Sequence, residues 1–377
     1  MRIVQHDIIT IILMLALSGC LADGYGQTDD AAISPDYRIN WRGDTEAFLD
    51  EQARISLEMA GHILERFGPD KIHSEKRTMA LLLIDNVFHD ARAPHRKPVQ
   101  DFFRHRIKQA VEQIHATEVT EGAMIWKLYS HGFVVKTPSV TLGFDIVTAR
   151  NIRNREEPRI DGVVARGIDG FVLEDQVVQD LIDAVDILFV SHRHLDHADD
   201  QVVLRFLEQG KPVLAPSDVW EEEPFHDSIL HLERKVHAIQ EVYLPVKQKA
   251  LGVVNYPGYQ GRVPNNVVLV YTPEGLVLAH TGDQNHEESF YWIDDVGNHH
   301  DVDILMLHCD FHVNRMIRGF RPALAIAGHE NELGHPVETR HPHWMNPVKF
   351  SGHSTPWLQM AWGERFHYLQ SSAGQQN

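Results

Sequence analysis

Apolar positions from residue 48 to 114 recur at helical spacing, which predicts three helices. Phe48, Ile55, Met59 and Ile63 share one stripe that Gly68-Pro69 stops. A second helix is expected from a Ser74 cap through Met79 to Phe88. A third carries Pro98 in its first turn and Val99, Phe102, Phe103, Ile107, Val111 and Ile114 on one face. After Glu121 the period changes to two: Met124, Trp126 and Leu128, then Phe133 and Val135, then Val140, Leu142, Phe144 and Ile146 alternate with other residues. That pattern predicts an antiparallel meander. A helix over 176–185 leads into the continuous apolar run Ile187, Leu188, Phe189 and Val190, as expected of a strand covered on both faces. A helix over 200–209, ended by Gly210, and short strands over 213–215, 267–271, 276–279, 303–307 and 324–327 complete an α/β pattern that two sheets would accommodate.

The amino terminus reads as an address. Residues 8–17, IITIILMLAL, follow Met1 and Arg2 and are too few to span a bilayer but suit the core of a signal peptide. The run closes on Leu17-Ser18-Gly19-Cys20, which resembles the bacterial lipoprotein box. Lipidation at Cys20 and a membrane anchor on the periplasmic side are therefore expected; Asp7 is unusual there, and the plainer alternative is a secretory signal with an incidental cysteine. The expected organisation is a signal peptide over 1–19, a lipidated terminus and tether over 20–44, a helical region over 45–118, an α/β domain over 119–365 and a polar tail over 366–377. With Cys20 lipidated, Cys309 has no intrachain partner, and stability must come from the core.

Composition changes this picture in two respects. The formal net charge of -18 would repel a phosphate backbone, so nucleic acid is not the expected partner and a small-molecule substrate is. Histidine is abundant, with 26 residues in 377, and imidazole is the commonest metal ligand. The chemistry concentrates at residues 191–197, SHRHLDH, immediately beyond the apolar strand. His192, His194, Asp196 and His197 there group potential ligands at the carboxyl end of a strand. Imidazoles with one carboxylate suit zinc, manganese or iron better than calcium or magnesium. The segment GHENELGH from Gly328 lacks the zincin pattern, since Leu333 stands four residues after His329. Serine-hydrolase elbow and P-loop signatures are absent too.

From about residue 121 to 362 the chain resembles the metallo-β-lactamase superfamily, on three features besides SHRHLDH. Residues 125–146 resemble its opening hairpins with their acidic residue, here Asp145; residues 276–283, LVLAHTGD, resemble the turn that presents its bridging aspartate, here Asp283; and His329 matches its last metal-binding histidine. The resemblance implies an αββα sandwich behind the helical region. It further implies one or two divalent transition-metal ions, zinc first, with His192 and His194 on the first, Asp196, His197 and His329 on the second, and Asp283 between them. Asp196 would be the catalytic residue that orients a metal-bound hydroxide against an ester, lactone, phosphodiester or amide bond. One departure stands out, because the stretch 254–262, VNYPGYQGR, holds no histidine where the family has the third ligand of its first metal. Gln260 or Tyr259 substitutes, or His226, His231 or His237 reaches in, or the first site is weak. The alternative reading is a degenerate, metal-stabilised surface protein that binds without turnover. For His335 an outer or surface role is expected ahead of a contact with substrate; His131, His280, His308 and His312 flank predicted strands and are candidates to line the same cleft, with a structural role the expectation for each, and a Cys309–His308 nucleophile is disfavoured because neighbours on a strand face opposite ways.

Overall fold

The computed structural model describes residues 44–71, 74–148 and 173–370, so the apolar run at 8–17, Cys20 and all of the expected tether but Asp44 lie outside the described residues, as do residues 371–377 of the tail. The described residues belong to one compact unit. It opens with α1 (Thr45–Arg66), α2 (Glu75–Phe88) and α3 (Lys97–Ala116). Asp44 caps the first by accepting from the Glu46 and Ala47 amides, and Ser74 caps the second through the Arg77 amide. The buried stripe of α1 is Ala53, Leu57, Ala60 and Leu64, not the expected Phe48, Ile55, Met59 and Ile63. Alanines let helices approach closely, so the face with the smallest side chains, rather than the bulkiest, is pressed inward.

Two sheets follow. The first holds β1 (Ala123–Lys127), β2 (Phe133–Lys136), β3 (Thr141–Phe144), β4 (Ile187–Phe189), β5 (Val213–Leu214) and the last strand, β13 (Arg365–Tyr368), in the order β13-β1-β2-β3-β4-β5. The meander β1-β2-β3 is antiparallel, as its alternation predicts, whereas β3, β4 and β5 run parallel. The helices α4 (Asp175–Ala184) and α5 (Asp200–Glu208) lie between the parallel strands in sequence. The second sheet is seven-stranded. It contains β6 (Ile239–Leu244), β7 (Lys249–Gln260), β8 (Val263–Tyr271), β9 (Val277–His280), β10 (Ile304–His308), β11 (Leu324–Gly328) and β12 (Trp357–Leu358) in the order β12-β11-β10-β9-β8-β7-β6. From β9 to β12 its neighbours are parallel.

Three apolar clusters define the layers. The helices α1 to α5 pack on Trp126, Val134, Leu188 and Val213 of the first sheet. Between the sheets, Ile125, Phe133, Val135, Leu142, Phe144 and Ile187 meet Val253, Val268, Leu278, Ile304 and Ile326. Outside the second sheet lie α6 (Phe290–Ile293), α7 (Val296–His299) and α8 (Val313–Phe320), packed on Val254, Tyr256, Leu269, Leu305 and Ala327. This is the αββα sandwich with an amino-terminal helical region that the sequence leads one to expect.

Buried polar contacts lock the amino-terminal helices onto the segment beyond β11. Asp85 of α2 accepts from Asn331 Nδ2 at 2.8 Å, from His343 Nδ1 at 2.8 Å and from the Trp344 amide at 3.0 Å. Arg340 donates to the Phe88 carbonyl at 2.7 Å and to the Leu333 carbonyl at 3.3 Å. Arg77 forms a bidentate pair with Glu364 at 2.6 and 2.7 Å. The helical region thereby holds the loop that carries His329 to His335 in place.

Candidate metal centre

The carboxyl ends of β3, β4, β9, β10 and β11 lie at one edge of the two sheets, where open α/β folds place their sites. Beyond β4, the SHRHLDH segment is shaped by Asp145, which follows β3 in a left-handed conformation with φ 44°. Its carboxylate accepts from the Ser191 amide, from Ser191 Oγ and from His197 Nδ1, each at 2.7 Å. The Asn266 amide donates to the Ser191 carbonyl at 2.7 Å, which ties the second sheet to the same segment. Asp283 follows Gly282, whose φ is 50° and where a Cβ would come within 2.3 Å of Asn265 Oδ1 and 2.5 Å of Ser191 Cβ. Only glycine fits that approach. His329 sits just past β11 at φ 73°, and its amide donates to the Ser130 carbonyl at 3.1 Å. Left-handed non-glycine residues just past strands of both sheets, Asp145 and His329, are the kind of strain that collects at functional sites.

This backbone gathers Asp196, His197, Asp283 and His329, all buried, with one ligand atom of each within 4.8 Å of the others. Asp283 Oδ2 lies 3.3 Å from His197 Nε2, 3.4 Å from His329 Nε2 and 3.9 Å from His192 Nε2. Asp196 Oδ2 lies 3.3 Å from His197 Nε2 and 3.1 Å from His329 Nε2. The nitrogens His192 Nε2 and His197 Nε2 and the oxygen Asp283 Oδ1 are buried without an aligned hydrogen-bond partner. Orphaned buried donors and acceptors are costly, and convergent ones of this chemistry fit a transition-metal ion. His194 is placed differently, half-buried, with its ring 4.6 Å edge-on from that of His192 and outside the four-residue cluster.

The distant histidines do not reach in. His226 and His231 stack on each other at 4.5 Å and contact the Ser217 and Ala215 carbonyls, while His237 packs on His299 at 3.9 Å. Tyr259 lies under the Arg234 guanidinium. Gln260 does contact the centre, since its Nε2 donates to Asp283 Oδ2 at 2.9 Å. Two histidines expected to be structural also face the centre, on the other oxygen of Asp283: His131 Nδ1 lies 3.8 Å and His308 Nε2 3.9 Å from Oδ1. Both ring nitrogens of His131 are buried without a partner. No motif marks His131 or His308; their only signal in the sequence is a place beside a predicted strand, which they share with His280 and His312. His280 contacts the His131 carbonyl at 3.1 Å and accepts from the Gly282 amide at 3.3 Å, and His312 packs against Phe290 at 5.0 Å. Burial pushes the Cys309 thiol well above its usual range. His335, partly exposed, has Nε2 3.9 Å from Asp196 Oδ2 and Nδ1 3.7 Å from Glu332.

Electrostatics divide these rings into two classes. Burial opposes charge on His197, yet the Asp283, Asp196 and Asp145 carboxylates override it and hold the imidazole well above its ordinary range. His329 is raised in the same way, by Asp283 and Asp196. Burial would raise Asp283 and Asp196 as well, but the facing imidazoles, His197 foremost, keep both well below the usual carboxylate range. His192 is lowered to about 3 by burial and by His197, and burial lowers His131 and His308 well below their ordinary range. Carboxylates that draw protons onto two buried imidazoles form a pocket of cation-demanding charge, flanked by neutral rings with lone pairs to give.

No protein-family model matches the chain, and no curated protein does. Solved structures give loose matches. A metallo hydrolase from the archaeon Ignicoccus hospitalis shares 13% identity at a TM-score of 0.45, over 65% of this chain and 99% of its own. An isothiocyanate hydrolase from Delia radicum gut bacteria shares 14% identity at a TM-score of 0.46, over 65% of this chain and 99% of its own. CmlA, a diiron β-hydroxylase from Streptomyces venezuelae, shares 11% at 0.42, over 67% and 55% respectively. At such scores these likenesses decide nothing about chemistry, which rests on the side chains themselves.

Proposed function

We propose that this protein is a metal-dependent hydrolase of the metallo-β-lactamase type. The observation that carries the reading is the convergence of Asp196, His197, Asp283 and His329 within 4.8 Å of one another at the carboxyl ends of parallel strands. One or two zinc, manganese or iron ions, when bound, would bring a water to near-neutral pKa and polarise the electrophile. Asp196, His197 and His329 would hold one ion, and Asp283 would face it through Oδ2. His192 and His194 would contribute to a second, with Gln260 beside Asp283 where the family's third histidine is missing.

The chain's own groups supply the rest. Asp196 is the acceptor suited to orient the attacking water and take its proton. His335, at the exposed side of Asp196, is placed where a substrate or leaving group would pass. Asp145 fixes the His197 ring, and the neutral rings of His131 and His308 exclude bulk water behind Asp283. The substrate proposed is a small ester, lactone, phosphodiester or amide, and the exported, Cys20-anchored location on the periplasmic side is proposed with it. A binding protein without turnover is the second reading, favoured by the position of His194 outside the four-residue cluster.

Elemental analysis of protein purified without added metal, followed by a panel of lactones, phosphodiesters and β-lactams, tests the proposal. One or two tightly held transition-metal ions and turnover of one class are expected. Metal that washes away on gel filtration, or a metal-loaded protein inert to the whole panel, overturns the hydrolase. For the anchor, Cys20→Ser should release the protein from membranes; unchanged lipid labelling would reject it.

A further inference from the structure

A second ligand group lies away from that centre, outside the seven-stranded sheet. His237 enters β6 from a left-handed conformation with φ 58°. Asp295 precedes α7 and His299 ends it, so their side chains stand one turn apart on the same face. Asp295 Oδ2 lies 2.9 Å from His299 Nε2 and 3.6 Å from His237 Nε2, and one ligand atom of each residue lies within 4.8 Å of the other two. A tetrahedral zinc ion with bonds of about 2.0–2.1 Å has ligand-to-ligand edges of about 3.3 Å. The two measured separations bracket that edge.

The surroundings prepare these atoms for coordination. Asn298 Nδ2 donates to Asp295 Oδ1 at 2.6 Å, which leaves Oδ2 turned toward the imidazoles. His237 Nδ1 is 2.8 Å from Tyr256 Oη and 3.0 Å from His300 Nε2, and His300 Nδ1 in turn contacts Tyr271 Oη. With its hydrogen on Nδ1, shared between those two acceptors, His237 presents the Nε2 lone pair to Asp295 and His299. Outer contacts of this kind fix the tautomer and aim of a ligating histidine. Tyr256 is itself held by stacking on Trp292 at 4.6 Å, so the support is rigid.

We propose that His237, Asp295 and His299 form a peripheral binding site for a late first-row divalent cation, zinc foremost, with its remaining positions open to water. Two imidazoles and one carboxylate favour such ions over calcium or magnesium. A bound ion would staple α7 to the chain entering β6, the edge strand of its sheet.

The test is titration of the full chain, stripped of metal, with Zn²⁺ against a competing chromophoric chelator, in parallel with His299→Ala, Asp295→Asn, Tyr256→Phe and Asp283→Asn. The wild type is expected to take up one equivalent beyond those of the central site. His299→Ala and Asp295→Asn should lose that equivalent alone, Tyr256→Phe should weaken it by about tenfold, and Asp283→Asn should keep it while disturbing the central uptake. His299 and Asp295 are half-exposed, so their substitution leaves the fold intact, and far-ultraviolet circular dichroism checks this. Uptake by His299→Ala and Asp295→Asn equal to the wild type's overturns the proposal, as does binding at this site only at millimolar Zn²⁺. Because Asp283→Asn reports on the centre alone, failure of either site is read separately from the other.

Discussion

His197 Nδ1 donates to Asp145 Oδ2 at 2.7 Å, both groups fully buried, while the opposite nitrogen of the same ring points at Asp196 and Asp283. The bond sets the tautomer, so Nε2 is the nitrogen left for coordination. Asp145 also holds Ser191, so the same carboxylate orients the whole SHRHLDH turn. Replacement by asparagine keeps the size but removes the charge and one acceptor. Asp145→Asn is expected to weaken metal affinity by about 10- to 100-fold, measured by chelator competition. Unaltered affinity would show that the ring is held by packing alone.

Asp196→Asn separates chemistry from coordination. Its carboxylate faces both His197 and His329, so the amide retains one oxygen for an ion but gives up the proton acceptor. The variant is expected to keep its melting temperature and most of its metal and to lose turnover by on the order of a hundredfold or more, the scale of a positioned acid-base group. Turnover equal to wild type would refute the assigned role.

Gly328 admits the His131 ring. A Cβ there would lie 2.2 Å from His131 Cδ2 and 2.6 Å from Nε2, inside any permitted contact. Gly328→Ala should therefore displace His131 and shift the neighbouring His329, at a cost of about 1–3 kcal/mol in stability and with reduced metal retention. Chemical denaturation and metal analysis of the one variant report the two effects separately.

The Asp85–His343 pair gives the fold a pH dependence whose sign follows from the two shifts. His343 is raised from 6.5: burial opposes its charge, but Asp85 overrides burial. Its contribution is complete below about pH 6.5 and is lost as pH rises through the folded value. Asp85 is lowered from 3.8, its burial overridden by His343, so its contribution is present above about pH 4 and lost as pH falls through the folded value. The pair therefore stabilises most between about pH 4 and 6.5. Subtracting the unfolding free energies of Asp85→Asn/His343→Gln from those of wild type, across pH 3 to 9, should give a difference that peaks in that window; a flat difference would remove the pair as the source. Asp85→Ala alone should cost about 3–5 kcal/mol, because it strands a buried imidazolium.

How much was legible in the chain differs from element to element. The helices from Thr45 to Ala116, the meander β1-β2-β3 and the covered strand β4 announce themselves through period and capping, since each signal is carried by neighbours in sequence. The hairpin β6-β7 was not visible: β6 is an edge strand with Ile239 and Tyr243 exposed at 60% and 55%, so apolar residues on its open face blur the alternation. The short α6 and α7 carry too few residues for a period to show. At the site, SHRHLDH, Asp283 and His329 stood out because residue type and spacing were conspicuous along the chain. Gln260 stood only as one of several alternatives, and nothing in the sequence set His131 and His308 apart from other histidines beside strands, because what brings all three to Asp283 is the pairing of strands far apart in sequence. The sequence by itself determined which side chains could bind a metal and on which strand ends they stand. Only the tertiary structure decided which oxygen of Asp283 each imidazole faces, because that depends on two sheets meeting across Phe133, Phe144 and Leu278, and packing between layers leaves no period in a linear chain.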